Sequence, residues 1–149
     1  MILLVHLLFG AAIGSAVKNI PLAIILAFLS HYFLDLLPHI EYPIENITNK
    51  QWQKAAPDIL KVILDFSLGI LLIIIFSKNY PIIYVCAFFA ILPDGLSFLE
   101  SASKNKILRE HNVFHHEKIH FLKYKKISNF WRISTQVATV LICIYFLRF

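Results

Sequence analysis

Polar residues in this chain are clumped, and between the clumps run five apolar blocks, residues 2–17, 20–37, 59–77, 81–99 and 133–149. An α-helix rises 1.5 Å per residue and a bilayer's hydrocarbon core is about 30 Å thick, so a crossing needs about 17–25 residues. The first and last blocks are at the short end of that range. In lipid the backbone must satisfy its own hydrogen bonds, which predicts helices rather than strands. Lys18-Asn19-Ile20-Pro21 and Lys78-Asn79-Tyr80-Pro81 read as tight turns, each restarting a helix at a proline. Pro38 and Pro43 end the second helix and open a polar connection running to about Ala56, and Pro93-Asp94-Gly95 punctuates the end of the fourth block. The expected fold class is all-α, an integral membrane helical bundle of four to five transmembrane helices. It forms a single domain, 1–149, made of two helical hairpins (1–39 and 57–99), a His-rich segment (100–132) and a C-terminal helix (133–149).

Composition agrees with the pattern. Apolar residues make up 58% of the chain and charged residues 15%, against about 45–50% and 25% in soluble domains. Disordered, coiled-coil and disulfide-framework classes are excluded, and an ordinary water-soluble domain is disfavoured. Cys86 and Cys143 lie inside apolar blocks with no CxxC pair, the pattern of buried reduced thiols. No Lys or Arg precedes the first block, as a secretory signal would need, and its Gly10-x3-Gly14 spacing suits close helix packing. The net charge of +5 is uneven: eight Lys/Arg against three Glu fall between Glu100 and Arg132. That basic, aromatic stretch is expected as one or two amphipathic helices at the membrane surface, on the cytoplasmic side. Alternation then puts the amino terminus and the 38–56 connection on the same side.

Placed on those helices, the ionisable residues converge. His6 falls near the start of the first helix, His31 and Asp35 in the last two turns of the second, and His39 just beyond. Asp58 and Asp65 open the third helix and Asp94 closes the fourth. His111, His115, His116 and His120 lie in the basic segment. All map to one membrane face. His31/Asp35, His111/His115 and His116/His120 are spaced i, i+4, so each pair shares a helical face. A lone carboxylate in a membrane helix costs roughly 2.5–3.5 kcal/mol or more and needs a partner. For Asp65 that partner is expected to be Lys61, one turn away; Asp58 suits a helix amino terminus on macrodipole grounds. No basic residue lies within a turn of Asp35, and a divalent cation held by His and Asp would compensate several carboxylates at once.

The segment Ala27-Phe-Leu-Ser-His31-Tyr-Phe-Leu-Asp35-Leu-Leu-Pro-His39, with His6-x3-Gly10 before it and Leu92-Pro93-Asp94 after, resembles the predicted membrane-bound metal-dependent hydrolases. These are small inner-membrane proteins related to zinc-dependent phospholipases. The resemblance implies metal ligation by His31, Asp35, Asp94 and residues 111–116, and hydrolysis of a phosphoester. The motif order is inverted here relative to that family's usual one.

The expected function is a metal-dependent hydrolase at the cytoplasmic face of the inner membrane, cleaving a phosphoester of a lipid or lipid-linked substrate. The metal set is His6, His31, Asp35, Asp65, Asp94, His115 and His116. His39 and His111 are the candidate general acid or orienting residues. The cofactor is a divalent metal, zinc first, with manganese and iron as alternatives. Membrane lipid is the expected partner, with Lys123, Lys125, Lys126 and Trp131 drawing in anionic lipid or a phosphorylated head group and no nucleic acid involved. Two other readings compete. His111-x3-His115-His116 resembles one histidine box of the di-iron membrane desaturases, and a non-enzymatic metal-stabilised scaffold needs no substrate.

Overall fold

A computed structural model describes residues 1–49, 51–103 and 105–149. The described residues form helices joined by turns and irregular connections and contain no strand. In chain order the helices are α1 (Leu3–Ala16), α2 (Ile20–Asp35), the single turn α3 (Glu45–Thr48), α4 (Ala56–Phe76), α5 (Pro81–Ala102), α6 (Lys106–Val113) and α7 (Asn129–Arg148), with a short 3₁₀ turn at Trp52–Lys54. Between α6 and α7 the chain continues as a π turn (Phe114–Lys118) and a 3₁₀ turn (Ile119–Tyr124). Three helices, α4, α5 and α7, are long and apolar enough to cross a membrane.

The other two apolar helices are shorter. α1 has 14 residues and α2 has 16, about 21 and 24 Å of rise. α1 is the central element, packed by α2, α4, α5 and α7. Val5, Leu7, Leu8 and Ala11 are buried along it, which explains an apolar helix with no polar face. It lies between α4 and α5, so those two pack on α1 rather than closing on each other as a hairpin. The small-residue face works as its spacing suggests. A Cβ on Gly10 would lie 2.5 Å from Ala90 Cβ and 2.6 Å from the Cys86 carbonyl, and one on Gly14 would lie 2.9 Å from the Ile82 carbonyl. The outer helices instead present apolar side chains outward, among them Leu64, Leu71 and Ile75 on α4, Phe88 on α5 and Leu141 and Tyr145 on α7. An exposed apolar belt of this extent needs a non-aqueous surrounding or a partner.

The turns follow their sequence signals. The Asn19 side chain accepts from Leu22 N–H at 3.0 Å and caps α2, while Asn79 adopts positive φ between α4 and α5, a conformation asparagine tolerates. The fourth block departs from expectation. Pro93 does not end α5, which runs on to Ala102. The proline removes the N–H that would bond the Phe89 carbonyl, and one residue further on the Ala90 carbonyl lies 2.8 Å from His31 Nδ1. At the same end of the bundle, the start of α7 fixes the connection after α2. Arg132 donates to His39 O at 3.2 Å, Gln136 donates to Ile40 O at 2.8 Å, and the Thr135 hydroxyl donates to Pro38 O.

Candidate metal centre

Asp35, the last residue of α2, is fully buried and lies at the centre of a ring of imidazoles. Its Oδ2 is 3.0 Å from His31 Nε2, 3.1 Å from His115 Nε2 and 3.2 Å from His120 Nε2. His31 and His115 Nε2 are 3.1 Å apart, and His115 and His120 Nε2 are 3.2 Å apart. These are close to tetrahedral edges: four donors about 2.0–2.1 Å from one zinc ion would be about 3.3 Å from each other. The other oxygen, Oδ1, is 3.2 Å from His6 Nε2 and 2.6 Å from the Met1 amino nitrogen.

The rings are held from behind. His31 Nδ1 meets the Ala90 carbonyl at 2.8 Å, His39 Nδ1 meets Leu37 O at 2.7 Å, and His115 Nδ1 meets the Ser97 hydroxyl at 3.2 Å. A carbonyl can only accept, so His31 Nδ1 carries a proton, and its Nε2 faces Asp35 Oδ2 at 3.0 Å. Without a second ring proton or a cation between them, acceptor would meet acceptor in a buried site, which is repulsive. Backbone partners on the far ring nitrogen are also how metal-ligating histidines are oriented. Three groups of donors here could hold a metal ion: His6, His31 and Asp94; His31, Asp35 and His115; and Asp35, His39 and His120.

The chain around 111–120 explains how so many imidazoles reach one carboxylate. Residues 114–118 form a π turn, whose bonds run i to i+5, and His120 follows at a kink with φ −79° and ψ 27°. The wider turn aligns His115 with His120, so the i, i+4 pairing of His116 with His120 does not deliver both to the centre. His116 is exposed, its ring 5.2 Å from that of His115 and 5.6 Å from that of His120. Partial loss of hydration against the cluster, then the neighbouring His115 and His120, lower its proton affinity.

Of the other residues expected in the site, His6, His31, Asp35, Asp94 and His115 are brought together. Asp65 is not: it accepts from Leu4 N–H at 3.3 Å and from the Tyr42 hydroxyl at 3.3 Å, where a carboxylate suits the start of α1. Lys61 does not pair with Asp65 but reaches Asp58 at 3.2 Å and the Pro43 carbonyl at 3.0 Å. His39 is at the rim of the centre with Nε2 3.0 Å from Glu41 Oε1. His111 stands off, its Nε2 2.9 Å from the Tyr32 hydroxyl, and burial, then His115 and His31, lower its proton affinity. The side chain of Lys123 lies outside those described; Lys125 and Lys126 are exposed, and Lys125 lies 5.2 Å over the Phe121 ring.

Two participants escaped the sequence reading. His120 belongs with the donors, and Glu41, two residues beyond His39, has Oε1 2.9 Å from His120 Nδ1. A carboxylate behind a ligand imidazole is a recurrent feature of metal sites, and the signal for it was the His39-x-Glu41 spacing. Burial alone would raise the Glu41 carboxyl, but His120 and His39 outweigh it and hold it well below the usual carboxylate range.

Fold and centre together define an all-helical bundle, with helices able to cross a membrane and a buried His/Asp cluster at one end able to hold a metal ion. No known family, characterised protein or solved structure matches the chain.

Proposed function

We propose that this chain is a metal-dependent hydrolase at the cytoplasmic face of the inner membrane, using zinc to cleave a phosphoester of a lipid or lipid-linked substrate. The observation that carries the reading is the His31 imidazole. With Nδ1 committed to the Ala90 carbonyl, its Nε2 lies 3.0 Å from Asp35 Oδ2 and 3.1 Å from His115 Nε2, and His120 Nε2 lies 3.2 Å from both of those atoms. A zinc ion held in this cluster with a position left for water on the Asp94 side would lower the pKa of that water and polarise a phosphoryl oxygen. Asp94 is 36% exposed beside His31 and gives the centre its open side. His111, with Nδ1 unpartnered in the structure and a lowered proton affinity, is suited to accept a proton from an incoming water. Exposed Lys118, Lys125 and Arg109 surround this end and favour an anionic substrate. Exposed Phe130 and Trp131 suit the lipid–water boundary.

The test is elemental analysis of the detergent-purified protein with hydrolysis of a chromogenic phosphodiester. About one or more zinc per chain, with turnover abolished by a chelator and restored by Zn²⁺, is expected. Metal-free protein with unchanged folding refutes the reading. A second reading, a metal-stabilised scaffold, is favoured by one observation: Asp35, His31, His115 and His120 already supply four donors, and four protein ligands characterise structural zinc sites. Chelation would then lower the melting temperature with no phosphoester turned over, and iron with visible colour would point to oxidase chemistry instead.

A further inference from the structure

We propose that the centre is binuclear, with Asp35 as the bridging carboxylate: Oδ2 serves the closed set of His31, His115 and His120, and Oδ1 serves a second divalent cation held with His6 and Asp94. The inference rests on the metal-centre reading above and extends it to a distinct, open position.

His6 is the main argument. It is fully buried, its Nδ1 has no partner, and its Nε2 has no well-aligned one. An interior imidazole left in this state is costly, and a cation at Nε2 would satisfy it. Its Nε2 lies 3.2 Å from Asp35 Oδ1, so it addresses the oxygen that the three-histidine set does not use. The His6 ring stacks on His31 with centroids 4.1 Å apart and planes at 21°. The two stacked rings therefore present Nε2 atoms to the two oxygens of one carboxylate, the arrangement a carboxylate-bridged metal pair requires. Asp94 completes the position, since it offers a ligand atom within 4.8 Å of ligand atoms from His6 and His31.

The two positions differ in kind. The Oδ2 position has four protein donors and is closed. The Oδ1 position has three, from α1, α2 and α5, and its Asp94 arm is 36% exposed, leaving room for water or a substrate oxygen. The second ion is the exchangeable one and the one that meets substrate.

The test is Co²⁺ titration of the chelator-stripped full-length chain in detergent, with bound cobalt read by equilibrium dialysis and the site environment by d–d absorption. Two cobalt ions per chain are expected, the second binding at least tenfold more weakly. His6→Gln and Asp94→Asn should each reduce the stoichiometry to one and leave the absorption of the first ion in place. Asp94 is partly exposed, so Asp94→Asn carries the test should His6→Gln fail to fold. One cobalt per wild-type chain, unaffected by either substitution, overturns the second position while leaving a mononuclear centre intact, with Asp35 Oδ1 held by the Met1 amine. Two ions retained in both variants overturns the ligand assignment. No cobalt at all removes the metal centre itself and this proposal with it.

Discussion

Gly10 couples the packing of the bundle to the chemistry at its end, and Gly10→Ala measures the coupling. The added methyl would lie 2.5 Å from Ala90 Cβ and 2.6 Å from Cys86 O, whereas carbon atoms settle about 3.5–4.0 Å apart. Backbone on both sides leaves α5 little choice but to retreat from α1 by roughly 1 Å. Overpacking of this kind costs about 1–3 kcal/mol, offset by the roughly 0.5–1 kcal/mol by which alanine is better than glycine inside a helix. A net loss of about 0–2.5 kcal/mol is expected. The retreat also displaces the Ala90 carbonyl, which orients His31 from 2.8 Å, and disturbing such an orienting partner typically weakens metal binding about 10–100-fold. The assay is thermal melting in detergent alongside Zn²⁺ binding in competition with a chromophoric chelator. Gly95→Ala is the control, because a Cβ there meets nothing within 4 Å, and it should bind zinc normally and melt no lower. If Gly10→Ala also matches the wild type in both measurements, the argument that α1–α5 contact positions His31 is wrong.

Four further outcomes test the site. Asp35→Asn removes one of four donors; with structural zinc worth about 10–16 kcal/mol over four ligands, affinity should fall roughly 10²–10³-fold, read by the same competition. His115→Ala should empty the site while His116→Ala leaves metal content at the wild-type level, because the π turn directs only the first inward; equal losses would contradict that register. Asp65→Asn should leave metal content unchanged and lower stability by about 0.3–1 kcal/mol, as expected for a charge at a helix amino terminus, seen as a small drop in melting temperature. Chelation should raise amide hydrogen exchange first in residues 111–120, whose histidines are joined to α2 through the centre, before it reaches α4, and uniform loosening would count against a local role for the ion.

How much of this was legible in the sequence depended on the period of the element involved. Apolar runs of regular α-helix were readable because burial and length alone specify them, and the bounds of α2 and α4 fall within a few residues of their blocks. Pro93 misled because a proline at a helix end and a proline in a helix interior look alike in sequence, and α5 runs on past it to Ala102. His116 misled for a related reason. Reading residues 111–120 with an α-helical period aligns His116 with His120, whereas the π turn aligns His115 with His120, and no local composition announces a π turn. Glu41 was missed because it lies in a connection, and connections have no period from which a direction can be read. Asp65 shows the opposite error: a buried carboxylate needed a partner, and the partner came from the backbone of α1 and from Tyr42, 61 and 23 residues away in sequence.

The shortness of α1 makes a polar centre compatible with so apolar a chain. A charged side chain on an outward-facing helix can reach the polar boundary by extending along its own apolar stem. Histidine and aspartate are too short for that, and α1, surrounded by α2, α4, α5 and α7, has no outward face to offer. His6 and Asp35 therefore meet inside the protein, both fully buried, where the environment strengthens every electrostatic interaction and makes an unmatched one costly. Around the middle of α1 the surrounding helices contribute apolar side chains: Ile73 from α4, Ile83 and Ala87 from α5, and Cys143 and Leu147 from α7. The Met1 ammonium, 2.6 Å from Asp35 Oδ1, supplies one positive charge, and positive charge facing Oδ2 comes from an ion or a ring proton. The His31 and His39 rings, with their Nδ1 atoms held at 2.8 and 2.7 Å from backbone carbonyls, each turn Nε2 to a carboxylate oxygen 3.0 Å away, of Asp35 and Glu41 respectively, and a cation or a second ring proton there matches the charge.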